Sequence, residues 1–117
     1  MRYFEYYEFD SPDVQGSGQL MDKGFLEMLD EARGLANLPF VINSGFRTPE
    51  HNEKVDGKEN SSHLRGYAAD IICTDSRSRF IIIDALIQAG FTRIGVAKTF
   101  IHVDNDPEKD GNVIWTY

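Results

Sequence analysis

Three short apolar runs, Phe91 to Val96, Phe100 to Asp104 and Val113 to Tyr117, constrain this fold more than any other feature, because each is only long enough for a strand. The connections between them are tight, and a parallel pair ordinarily needs a crossover of a dozen or more residues, so antiparallel pairing is expected. Tyr67 to Cys73 reads as a further strand, and Phe40, Val41 and Ile42 behind Pro39 as another, ending at Ser44 and Gly45. Helical spacing appears twice. Met21, Phe25, Met28, Leu29, Ala32, Leu35 and Ala36 predict an amphipathic helix over residues 20–37. Asp75 caps a second helix that runs to Ala89 and closes at Gly90, with Ile83, Leu86 and Ile87 on its inner face. Thr48 before Pro49 starts a short helix carrying His51 and Asn52, and residues 10–18, with Pro12, Gly16 and Gly18, read as a long surface loop. The expected architecture is α+β, a small central antiparallel sheet with helices packed against it, and 117 residues sustain one domain spanning 1–117.

Charge and cysteine usage narrow the chemistry. Nineteen acidic residues against twelve basic ones give a formal charge of -7, with no basic cluster, which argues against a nucleic-acid partner. The single cysteine, Cys73, excludes an intrachain disulfide and zinc sites built from paired thiolates. Its place beside Ala69 and Ile71 at period two predicts a buried structural thiol. No stretch reaches the eighteen or so apolar residues of a membrane span, and the start MRYFEYYEFD lacks the basic and apolar regions of a secretory signal. The expectation is a monomer made in the cytoplasm, with no membrane partner.

Any metal must then be held by His, Asp or Glu, and four residues stand out: His51, His63, His102 and Asp70, which follows His63 by seven residues. Asp70 lies between Ala69 and Ile71 in a strand, where a charge is costly without a partner. In Phe100-Ile101-His102-Val103-Asp104, alternation turns His102 and Asp104 to one face and Ile101 and Val103 to the other. Two imidazoles and a carboxylate make a three-ligand set for catalytic zinc, with a position left for a water of pKa about 7. The same residues also fit a loop histidine, a strand-edge charge and a satisfied core histidine, and spacing alone does not choose between the two readings.

The runs SSHLRGYAADI and FIHVD, with SGFRTPEHN upstream, carry a resemblance. Ser-x-His-x-x-Gly-x-Ala-x-Asp followed by the second histidine resembles the zinc D-alanyl-D-alanine carboxypeptidase family, which includes phage L-alanyl-D-glutamate endopeptidases, over about residues 20–115. The resemblance implies a Zn2+ site in a groove on the sheet, with ligands His63, Asp70 and His102. It places the family's active-site arginine at Arg47 and a hydrogen-bonding serine at Ser61. It also implies a peptidase that cuts a D-amino-acid-containing bond in the stem peptide of peptidoglycan, acting on the cell wall if released, as in phage or prophage lysis.

The sequence departs from the pattern at one point. Many relatives carry an acidic residue or histidine as general base a few residues before the last ligand, where this chain has Ala97, Lys98, Thr99, Phe100 and Ile101. Asp104 is then the nearest candidate to take a proton, or else it orients His102; His51 is a weaker one. Tyr67 and Trp115 are expected to line the substrate groove. The missing base keeps a second function open, a non-catalytic zinc-binding module of the kind seen in the distantly similar Hedgehog signalling domain. A third, a non-haem iron site using His102 and Asp104, lacks the histidine that would ordinarily follow.

Overall fold

The computed structural model describes residues 1–117. In chain order the elements are α1 (Lys23–Ala36), β1 (Ile42–Ser44), α2 (Pro49–Lys54), β2 (Ala68–Ile72), α3 (Ser76–Gln88), β3 (Arg93–Val96), β4 (Phe100–Asp104) and β5 (Val113–Thr116). The Asp22 carboxylate accepts from the Phe25 N–H at 2.9 Å, so α1 starts after it and residues 17–20 form a separate 3-10 turn. Asn37, at φ 51°, ends the helix. Thr48 and Asp75 cap α2 and α3 as their side chains predict.

The α+β class stands, and the sheet has the order β1-β2-β4-β3-β5. Antiparallel pairing holds for β1 with β2, β2 with β4 and β3 with β4, but β5 lies parallel to β3. The expectation of a wholly antiparallel sheet therefore fails at its last strand. β4 finishes beside Arg93, where β3 begins, and residues 105–112 carry the chain round that end of β3. There the Val113 N–H donates to Thr92 O at 3.0 Å. An eight-residue loop suffices because it passes the end of one strand and crosses no face of the sheet.

Alternation divides the sheet into two unlike faces. Ala69, Ile71, Ile94, Ile101 and Val103 turn to the core, which Phe25, Leu26, Leu29 and Ala32 of α1 complete with Ile82, Ala85 and Leu86 of α3. On α3 the buried stripe differs from the expected one: Ile82 is buried, Ile83 half-buried and Ile87 exposed. Three consecutive isoleucines, Ile81 to Ile83, leave the helix phase ambiguous in sequence, and in the packed helix Ile82, Ala85 and Leu86 are the residues buried. Residues 10–18 are also not a loose loop. Asp10 accepts from the N–H groups of Gly16 and Gly18 at 2.9 and 2.7 Å, and Ser11 and Ser17 are buried and hydrogen-bonded. Side chain to backbone bonds of this kind have no periodicity to betray them. Before them, a 3-10 turn at Tyr6–Phe9 drives Phe9 into the core.

Leu29→Ala, which empties a fully buried site, should lower unfolding free energy by about 2–5 kcal/mol. Phe80→Ala, on the exposed side of α3, should change it by no more than about 0.5 kcal/mol. Urea denaturation of both variants checks the assignment of faces, and similar losses for the two would contradict it.

Candidate metal centre

The face of the sheet opposite the helices carries the polar residues of the site in rows. Ser44 of β1, Asp70 of β2, His102 of β4, Gly95 of β3 and Trp115 of β5 lie side by side across all five strands. Asp104 and Arg93 form part of the next row. Gly95 leaves the space Trp115 needs, since a Cβ there would stand 2.6 Å from the indole Nε1. The ring therefore lies over the sheet, 5.6 Å from the His102 ring centre.

His63 arrives from outside the sheet, on a 3-10 turn (Ser62–Arg65). Gly66 ends that turn at φ 80°, a conformation L side chains rarely adopt, and a Cβ would stand 2.6 Å from Leu20 O. The chain then enters β2, which brings Asp70 beneath His63. Ser61 caps the turn, its Oγ accepting from the His63 N–H at 3.3 Å. Ser61 thus shapes the backbone of the turn that carries His63 as an acceptor.

Two contacts fix which ring nitrogens face the site. His63 Nδ1 is 2.8 Å from Gly45 O, so this nitrogen carries the proton and Nε2 is the free base. His102 Nε2 lies 2.7 Å from Asp104 Oδ2, which leaves His102 Nδ1 to face inward. Asp70 Oδ1 stands 3.3 Å from His63 Nε2 and 2.9 Å from His102 Nδ1. The three inward atoms all lie within 4.8 Å of one another. Two nitrogens and a carboxylate oxygen aimed at one point, each histidine held by a partner at its far nitrogen, fit a divalent metal ion.

The protonation states follow from these contacts. Burial pushes the Asp70 pKa up, but hydrogen bonds to His102 and His63 outweigh it and hold the carboxyl well below the usual range. Burial lowers the His63 pKa, and Asp70 only partly offsets this. Burial also opposes protonation of His102, yet the carboxylates of Asp104 and Asp70 prevail and raise its pKa. Asp104 is likewise lowered, its burial overcome by His102 and Arg93.

Asp70, His102 and Trp115 of that row line a cleft of about 520 Å³, together with Arg47, Ser61, His63 and Asp104 among others. The Arg47 guanidinium donates to Ser44 Oγ at 3.0 Å, Asn52 Oδ1 at 3.2 Å and Asp70 Oδ2 at 3.4 Å. Tyr67, expected in the groove, is not among the lining residues, because it precedes Ala68 and alternation turns it off the site face. His51 is not among them either; it sits on α2, whose Asn52 is the residue that reaches Arg47. Asp104 is not one of the three converging residues, which removes the basis for an iron triad with His102. The cleft also contains Arg93, Lys109 and Tyr117, which sequence reasoning did not single out. Alternation from Trp115 to Tyr117 was the available signal for the tyrosine; nothing marked the lysine, since its loop has no period.

The family model described as Peptidase M15 matches residues 4–104. The chain belongs to the peptidase M15 family. No curated protein matches it. The M15 match takes in the three converging residues and Arg47, and it ends at Asp104, before Lys109, Trp115 and Tyr117 of the cleft. M15 peptidases depend on a metal, and this M15 chain has the His-Asp-His set able to hold one. No helix is long and apolar enough to cross a membrane.

A metal held at His102 Nδ1 would displace the proton there, whereas Asp70 is held ionised and burial shifts His63 toward its neutral form. Because the His102 pKa is raised, that proton is present at pH 6 and is lost as pH climbs through the raised value. Calorimetry in buffers of different ionisation heat should show proton release on zinc binding at pH 6, and zinc affinity should rise with pH as the His102 proton is lost. Release of no proton at pH 6 would rule out His102 Nδ1 as a ligand. In the metal-free protein the stabilisation from His102 runs opposite to the metal affinity: it is present below the ordinary histidine range and lost as pH rises through the raised value.

Proposed function

We propose that the chain is a zinc peptidase that hydrolyses a D-amino-acid-containing peptide bond in the stem peptide of bacterial peptidoglycan. The observation that carries this reading is the convergence of His63 Nε2, Asp70 Oδ1 and His102 Nδ1 at the floor of a cleft that Arg47 walls. Membership of the peptidase M15 family supports it. Zinc in such a set, when bound, acts as a Lewis acid and acidifies water.

The chain's own residues supply the rest. Arg47 is 15% exposed and pinned by three acceptors, so its charge is fixed in place before a substrate arrives. A guanidinium so held binds a substrate carboxylate at two points or stabilises an oxyanion at little reorganisation cost. Trp115 offers an apolar shelf beside His102 for the substrate backbone or a side chain. Asp104 orients His102, since one oxygen meets His102 Nε2 and the other accepts from Arg93 Nε at 2.6 Å. The same commitment of Asp104 favours a second reading, a zinc-dependent binding module, because both buried carboxylates of the cleft are already engaged.

Mass spectrometry of peptidoglycan fragments after incubation with the zinc-loaded protein decides between them. New stem-peptide fragments are expected, absent for His63→Ala, Asp70→Ala and His102→Ala, each of which should also lose tight zinc binding. Arg47→Lys should keep zinc and lose turnover by about 10²-fold. An intact wild type across cross-linked and uncross-linked substrates would instead favour the binding module.

Asp104→Asn separates orientation from proton transfer. Zinc affinity should fall by about 10- to 100-fold, with turnover at saturating zinc nearly unchanged. Unchanged affinity with turnover down about 10²- to 10⁴-fold would make Asp104 the general base.

A further inference from the structure

Beyond the ligands, one buried carboxylate joins the two halves of the centre. Asp106 follows β4 by two residues, lies beyond the stretch matched by the family, and is 2% exposed. Its Oδ2 accepts from Ser62 Oγ at 2.7 Å and from Arg65 Nη2; its Oδ1 accepts from the Glu108 N–H at 3.0 Å. Lys109 Nζ stands 3.8 Å away and donates to Ser62 Oγ at 2.9 Å and Asn60 O at 2.8 Å. Ser62 Oγ therefore receives one hydrogen bond and donates one, which fixes its rotamer. Ser62 and Arg65 both belong to the 3-10 turn that carries His63.

The consequence concerns distance. His102 is held in the sheet by its strand neighbours, but His63 sits on a turn outside the ladder, whose backbone is held by contacts such as Tyr67 N–H to Ser62 O and Arg47 N–H to His63 O, both at 3.1 Å. Nothing in the β-ladder sets the gap between the two rings. Asp106 does so, because it grows out of the strand of His102 and grips the turn of His63 at Ser62 and Arg65. We infer that Asp106 is a positioning residue of the metal centre, setting the separation of His63 and His102 through Ser62. This rests on the reading of the site as a metal centre.

The Asp106→Asn side chain keeps the shape but exchanges one oxygen for a donor. Either it turns NH2 toward Ser62 and Arg65 or it turns it toward the Glu108 N–H, so a bond is lost both ways. Ser62→Ala removes only the link to the ligand turn, and Leu29→Ala in the distant core serves as a destabilised control. Zinc affinity by competition with a chelator, the absorption bands of the cobalt-substituted proteins at saturating cobalt, and the melting temperature of each metal-free protein are the measurements. Asp106→Asn and Ser62→Ala should weaken zinc binding by about 10- to 100-fold and alter the cobalt bands, while Leu29→Ala melts lower with unchanged affinity and bands. A merely structural Asp106 gives the Leu29→Ala pattern, and that result overturns the inference. If Asp106→Asn does not fold, Ser62→Ala decides alone, and its wild-type affinity and spectrum overturn the inference equally. A wild type that takes up neither zinc nor cobalt defeats the metal-centre reading itself, and this inference with it.

Discussion

The register between β2 and β4 is the constraint on which the rest depends. It sets Asp70 directly opposite His102 and Ile71 opposite Ile101, so the charged pair and the aliphatic pair fall on opposite sides of the same sheet. A slip of one residue would carry Asp70 into the core and expose Ile71. The aliphatic face resists such a slip through burial, and the polar face through the attraction of Asp70 for two imidazoles and a guanidinium. Core and site therefore enforce one another: the same pairing that closes the hydrophobic layer against α1 and α3 brings the ligands together.

The second determinant is how each histidine is held at the nitrogen that faces away from the centre. A backbone carbonyl holds His63 and a carboxylate holds His102, and the two are not equivalent. Burial leaves His63 easily deprotonated, with only the neutral Gly45 carbonyl at its far nitrogen, whereas Asp104 adds charge at His102 and makes it the more basic of the two. Arg93 tempers that charge on Asp104 and also stacks over Trp115, its guanidinium carbon 5.1 Å from the ring centre. One arginine thus couples the electrostatics of the centre to the aromatic wall of the cleft.

Much of this was legible in the sequence because it follows from periodicity. Alternation in Phe100 to Asp104 and around Asp70 placed the polar residues on one face, and Thr48-Pro49 and Asp75 marked helix starts correctly. The three converging residues and Arg47 were reached through the resemblance, since spacing alone left a satisfied core histidine equally open. What escaped was set by contacts without a period. The direction of β5 depends on where an eight-residue loop turns, the phase of α3 on which of three isoleucines meets α1, and the order of residues 10–18 on the carboxylate of Asp10. Tyr67 was misplaced by one residue of alternation, and Asn52 was overlooked beside the more conspicuous His51.

The ligands' distribution along the chain has a thermodynamic corollary. His63 and Asp70 are neighbours in sequence, but His102 lies 32 residues beyond Asp70, on a strand reached only after α3 and β3. In the unfolded chain those three groups meet only by closing a loop of that size, with its entropy to be overcome each time. A divalent ion held by this set would consequently favour the folded state over the unfolded one. Folding and metal uptake would then be linked by mass action, each tenfold rise in free metal above its dissociation constant adding about 1.4 kcal/mol to stability. The surrounding medium, through its metal activity, thereby becomes one of the variables that set how long this small domain survives.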